Sequence, residues 1–94
     1  MPSYVLLTKL TDEGCNTLQD NPERIKEVNK EVEAMGGKVI SQYLILGEYD
    51  FLNIVEAPDN ETIAKISMNL AARGTVRFET FPAIEINTFI DSMK

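Results

Sequence analysis

The sequence contains no histidine, which removes at once the usual general base, the commonest metal ligand and the side chain that titrates near physiological pH. Its single cysteine, Cys15, can form no internal disulfide. Together with an opening Met1-Pro2-Ser3 that has no basic, apolar leader, this makes a cytoplasmic setting the expectation. Glycine and proline are few, five and four, and hydrophobic residues reach 44%, so collagen-like, low-complexity and disordered chains are excluded. Basic residues are also few. Nine Lys and Arg against fifteen Asp and Glu leave a net charge of -6, which repels phosphate backbones and anionic lipid, so neither nucleic acid nor a membrane surface is expected as a partner. No apolar run approaches the ~20 residues that span a bilayer.

What remains is 94 residues, enough for one domain, 1–94, with a real but thin core. The run Tyr4 to Leu10 is short and apolar and ends at the turn-rich Thr11-Asp12-Glu13-Gly14, which predicts a strand followed by a polar link containing Cys15. Asn21-Pro22-Glu23 supplies a cap, a first-turn proline and an acid for a helix start. The helix carries Ile25, Val28, Val32 and Met35 on one stripe, sets Glu23, Lys26, Glu27, Lys30 and Glu31 on its wet side, and stops at Gly36-Gly37. Strands are expected over Lys38 to Leu46 and Phe51 to Ala57, and the Gly47-Glu48-Tyr49-Asp50 link between them permits only an antiparallel hairpin. Pro58-Asp59-Asn60-Glu61 opens a second helix, with Ile63, Ile66 and Leu70 inward, and Arg73-Gly74 closes it. Asn60-Glu61-Thr62 matches the glycosylation triplet, but reads as helix-start chemistry. Thr75 to Ile86 resumes strand character, Pro82 marks a bulge or an edge, and Thr88 to Met93 has the makings of a short final helix.

The order β-α-β-β-α-β is the ferredoxin-like, α+β arrangement: a four-stranded antiparallel sheet with two helices on one face. The other face should then be wet in a monomer. In Tyr4 to Leu10, however, both alternation sets are largely apolar, and Leu44 with Leu46 and Tyr43 with Ile45 occupy opposite faces of one strand. An identical sheet is the cheapest cover, so a homodimer or higher homo-oligomer is expected.

Several strings recur together: Thr11-Asp12-Glu13-Gly14, Leu18, Asn21-Pro22-Glu23-Arg24, Gly36-Gly37-Lys38-Val39, Leu46-Gly47-Glu48-Tyr49-Asp50, Val55-Glu56-Ala57-Pro58-Asp59 and Gly74-Thr75-Val76-Arg77-Phe78-Glu79-Thr80. With these the chain resembles the GYD-domain family along nearly its whole length. That family is similar to the dimeric α/β barrels, in which two four-stranded sheets face each other around a central cavity. The resemblance implies the fold and the dimer and names no reaction.

The chemistry-bearing residues each admit a structural and a functional reading. In the hairpin turn, Gly47 supplies a positive φ and Asp50 accepts backbone N–H bonds; alternatively Tyr49 and Asp50 polarise a ligand at the cavity mouth. Arg77 and Glu79 share one face of the last strand, opposite Val76, Phe78 and Thr80. They form either an internal or cross-dimer ion pair or an Arg fork for a carboxylate or enolate. Asn53 and Tyr43 are expected on the same face, as pocket polar groups or as satisfied hydrogen-bonding partners. Glu23, Glu27 and Glu31 stand on successive helical turns but alternate with Lys26 and Lys30, which marks a solvated face and not a metal site. Cys15 has no cationic neighbour in sequence and reads as an ordinary thiol. No glycine-rich phosphate loop is present, and no cofactor is implied.

The leading expectation is a homodimeric barrel that binds a small organic molecule between its sheets through Tyr43, Tyr49, Asp50, Asn53, Arg77 and Glu79. Its rivals are a cofactor-free monooxygenase- or isomerase-like enzyme, supported by fold analogy, and an assembly module with no ligand. No chain remains for the helix-turn-helix that a DNA-binding regulator would add.

Overall fold

The computed structural model describes residues 1–94, in the order β1 (Ser3–Leu10), α1 (Asp12–Asp20), α2 (Arg24–Ala34), β2 (Lys38–Leu44), β3 (Phe51–Glu56), α3 (Asn60–Ala71), β4 (Val76–Ala83) and α4 (Ile86–Ser92). The strands form one antiparallel sheet in the order β2-β3-β1-β4, the order expected of a ferredoxin-like chain.

Strand parity sorts the side chains. Tyr4, Leu6 and Thr8 of β1 and Phe51, Asn53 and Val55 of β3 are buried, while the residues between them are half-buried or exposed. The buried set meets α2 and α3, and Tyr4, Leu6, Val32, Val55, Ala57, Ile63, Ile66 and Leu70 make the core. Burial of such side chains, at roughly 25 cal/mol per Å² of apolar surface, is the main driving force for this layer. Tyr4 also donates its hydroxyl to Asn60 Oδ1 at 2.6 Å, which ties β1 to the start of α3.

The second helix entry is capped as its sequence predicts, with Asp59 accepting from the Thr62 N–H at 2.8 Å. The first differs. The expected polar link is the helix α1, capped by Thr11 through the Gly14 N–H and opened by Asp12 and Glu13. Cys15 therefore sits, exposed, on a helix. Asn21 is not an N-cap: it ends α1 through its own N–H to the Thr17 carbonyl, and α2 begins later, at Arg24. Gly14 is required where α1 crosses the start of β4, because a Cβ there would lie 2.0 Å from the Thr75 carbonyl oxygen.

Helix ends and turns fall at the expected glycines, with φ of +100° at Gly36 and +79° at Gly74. β2 stops at Leu44, short of the expected Leu46, and bulges between Val39 and Ser41. β4 pairs without interruption through Pro82, which marks an edge and not a bulge, and ends at Ala83. The last helix starts at Ile86, earlier than the expected Thr88, because Glu85 caps it through the Thr88 N–H.

Candidate functional site

The sheet face opposite the core is bare. Register places Tyr43, Leu52, Leu7 and Glu79 in one row across it and Ser41, Ile54, Val5 and Phe81 in the next. Tyr43 is 61% and Phe81 46% exposed, and Val5, Leu7, Leu52 and Ile54 are half-buried. This is an apolar surface with polar groups at its margins. The final helix, α4, carries Ile86, Phe89 and Ile90, and Met93 caps its end, all exposed.

Four of the six expected site residues belong to this face. Glu79 and Arg77 project from it on β4, as alternation with Val76 and Phe78 requires. Tyr49 reaches across from the hairpin to donate its hydroxyl to Glu79 Oε2 at 2.5 Å. The bond to the Glu79 carboxylate, with burial and the charges of Glu79 and Glu48 adding to it, pushes the Tyr49 hydroxyl up to about 12. Glu79 is thus engaged by Tyr49, not by Arg77. Arg77 has no ion-pair partner and is exposed.

Asp50 serves the turn. Its Oδ2 accepts from the Leu10 N–H at 2.8 Å, its own N–H donates to the Thr8 carbonyl, and its carbonyl accepts from Ile45. These bonds fasten the hairpin to the end of β1, the structural role expected of an aspartate in this turn.

Asn53 is a correction. It is not beside Tyr43, Arg77 and Glu79: it pairs with Leu6 in register and lies on the helix-facing side, 8% exposed. The reason is parity, since Phe51, Asn53 and Val55 alternate onto one face and Leu52 and Ile54 onto the other. There it borders a cavity of about 250 Å³ between the helices and the sheet.

One further cluster escaped the sequence. Glu31, expected on a purely wet face, ties α2 to the turn after α3: Arg24 lies 3.3 Å from its carboxylate and Arg73, just past the end of α3, pairs with it too. The hydrogen bond from Arg73, and after it the charges of Arg73 and Arg24, outweighs desolvation and holds the Glu31 carboxyl below its ordinary range. No spacing rule connects positions 31 and 73, so only the packing of α2 beside α3 reveals the pair. No group of His, Cys, Asp and Glu side chains is arranged to hold a metal ion, and no helix is long and apolar enough to cross a membrane.

A four-stranded antiparallel sheet, helices on one face and a Gly-x-Tyr-Asp hairpin define a small α+β protein of a recognisable kind. The chain belongs to the GYD-domain family, whose model matches residues 4–93. It is 48% identical, over 95 residues that cover all of both chains, to a protein of Thermus thermophilus named glutamine synthetase and cystathionine beta-lyase binding protein.

Proposed function

We infer that this chain is an accessory protein that binds metabolic enzymes, with glutamine synthetase and cystathionine β-lyase as the first candidates. The observation that carries this reading is the full-length, 48% likeness to a relative named for binding those two enzymes. The working form is a cytoplasmic homodimer, in which the bare sheet faces close on one another as a dimeric α/β barrel. The apolar patch of Val5, Leu7, Leu52 and Ile54, spread over two adjacent rows and flanked by Tyr43 and Phe81, supports that closure, because one protomer leaves it without a covering layer. The unpaired Cys15 accords with a reducing compartment.

Binding of either enzyme is tested with the purified protein immobilised and each purified enzyme, from the same organism, passed over it. Saturable binding with a Kd on the order of 10 µM or tighter is the expected result. No binding of either enzyme at ten times that concentration would overturn the reading.

A second reading retains a small organic molecule between the sheets, held by Tyr43, Tyr49, Arg77 and Glu79 with Asp50 behind the turn. One observation favours it: Arg77 has no carboxylate partner in its own protomer, so its guanidinium is available to a ligand's acid group. Arg77→Ala tests this reading, since it should abolish binding of an acidic ligand that the unmodified protein binds.

A further inference from the structure

We propose that the cavity between the helices and the sheet binds a small, uncharged, mainly apolar alcohol or phenol, whose hydroxyl is anchored by Asn53 and Thr8. This pocket is on the opposite side of the sheet from the face considered above, and the inference does not depend on the enzyme-binding reading.

The cavity measures about 250 Å³, with Leu6, Val55 and Phe78 of the sheet below and Leu18, Ile25 and Val28 of α1 and α2 above. The space is a half-open cleft whose rim meets solvent, so a small molecule can enter it. It approaches the lower end of small-molecule sites, roughly 300 Å³.

The polar groups inside it are few and specific. Thr8 and Asn53 are 3% and 8% exposed. The Asn53 amide nitrogen lies 3.2 Å from Thr8 Oγ1 and 3.5 Å from the Leu6 carbonyl. A carbonyl only accepts, so the nitrogen is the atom suited to that side. Asn53 Oδ1 is then left buried with no hydrogen-bond partner. An orphaned acceptor costs free energy that a leucine at the same position would not, and buried polar atoms in folded proteins are paired. A small turn of the Asn53 side chain toward the cavity lets a ligand hydroxyl supply what is missing, giving its proton to Asn53 Oδ1 and accepting the proton of Thr8.

Charge selection follows from the rim. Arg24 and Arg73 border the cavity, but both are engaged by Glu31. On another side Asn29 and Gln42 bond to each other at 2.9 and 3.3 Å. No unpaired cation or anion faces the interior, so an ionised ligand has no counter-charge there.

The test uses phenol and toluene, which share a shape and differ in the donor. With the unmodified full chain, phenol should bind saturably with a Kd of about 1 mM, as its few atoms allow. It should raise the melting temperature and shift the backbone amide resonances of Leu6, Thr8, Asn53 and Val55. Toluene should bind about ten-fold more weakly, because it leaves the acceptor unpaired. Asn53→Leu should narrow the difference between the two ligands, Asn53→Leu with Thr8→Val should erase it, and Val28→Phe, which fills the space, should abolish both responses. Equal binding of phenol and toluene to the unmodified protein, no saturable phenol response by about 10 mM, or phenol shifts confined to Tyr43 and Leu52 on the other face would each overturn the proposal. The comparison on the unmodified protein decides the matter even if a variant fails to fold.

Discussion

Tyr49 illustrates how one contact sets the behaviour of a side chain. Its hydroxyl is given to the Glu79 carboxylate, which favours the protonated phenol and pushes it up to about 12 from an ordinary 10.0. A group raised in the folded state stabilises that state fully below its unfolded value. The contribution of this contact is therefore complete below pH 10.0 and is lost as the pH rises through about 12. Glu79→Gln should return the Tyr49 midpoint toward 10.0. The check is the tyrosinate absorbance at 295 nm, with the Tyr49 component isolated by subtracting a Tyr49→Phe variant in each background. An unchanged midpoint in Glu79→Gln would mean that the carboxylate does not govern it. At this scale the sequence was informative where charge alternates with apolar residues, as at Arg77 and Glu79. It misplaced Asn53 on the bare face, because Phe51 to Val55 is apolar in both alternation sets and only pairing with Leu6 decides which set is inside.

Among the elements, α1 teaches the most. Its nine residues hold one large aliphatic side chain, Leu18, so there is no apolar repeat for a helical period to display, and a glycine stands in its first turn. That glycine looks like a turn former in sequence and is a spacer in three dimensions. The Thr75 carbonyl accepts from the Thr11 N–H at 3.0 Å, and the Gly74 carbonyl accepts from the Thr11 hydroxyl at 2.7 Å, so the helix start is fastened to the α3–β4 turn. Gly14→Ala should gain about 1 kcal/mol in helix propensity and lose more than that to the clash with the Thr75 carbonyl. A net loss of about 2 kcal/mol is expected in urea unfolding. Asn16→Ala, at an exposed position of the same helix, should be neutral or mildly stabilising. Equal effects of the two substitutions would show that α1 does not approach β4 this closely. By contrast α2 and α3 were legible because Ile25, Val28 and Val32, and Ile63, Ile66 and Leu70, repeat at helical spacing above a terminal glycine.

For the molecule as a whole, the order and pairing of strands could be read from alternation, turn chemistry and the short hairpin. The clamp of Arg24, Glu31 and Arg73 and the cavity beneath it could not, since both arise where helices meet far from one another in the chain. The proposed closure of two bare faces makes a hydrodynamic prediction. At micromolar concentration the protein should sediment as a species of about twice the 10.6 kDa chain mass. Ile54→Glu, central on that face and paired with Val5, should return it to a single chain with its far-ultraviolet circular dichroism intact. A parent protein that sediments as one chain throughout this range would remove the dimer from the proposed function.

Pro82 limits how such chains can gather. It stands on the outermost strand within unbroken pairing to Tyr4, so its ring nitrogen, which has no hydrogen to give, turns outward. The opposite border is kinked where the ladder slips between Val39 and Ser41. Neither rim offers a newcomer a straight template for backbone bonding, and lateral growth into fibrils is blocked at both. The proposed closure of sheet on sheet would then end in finite particles instead of ribbons.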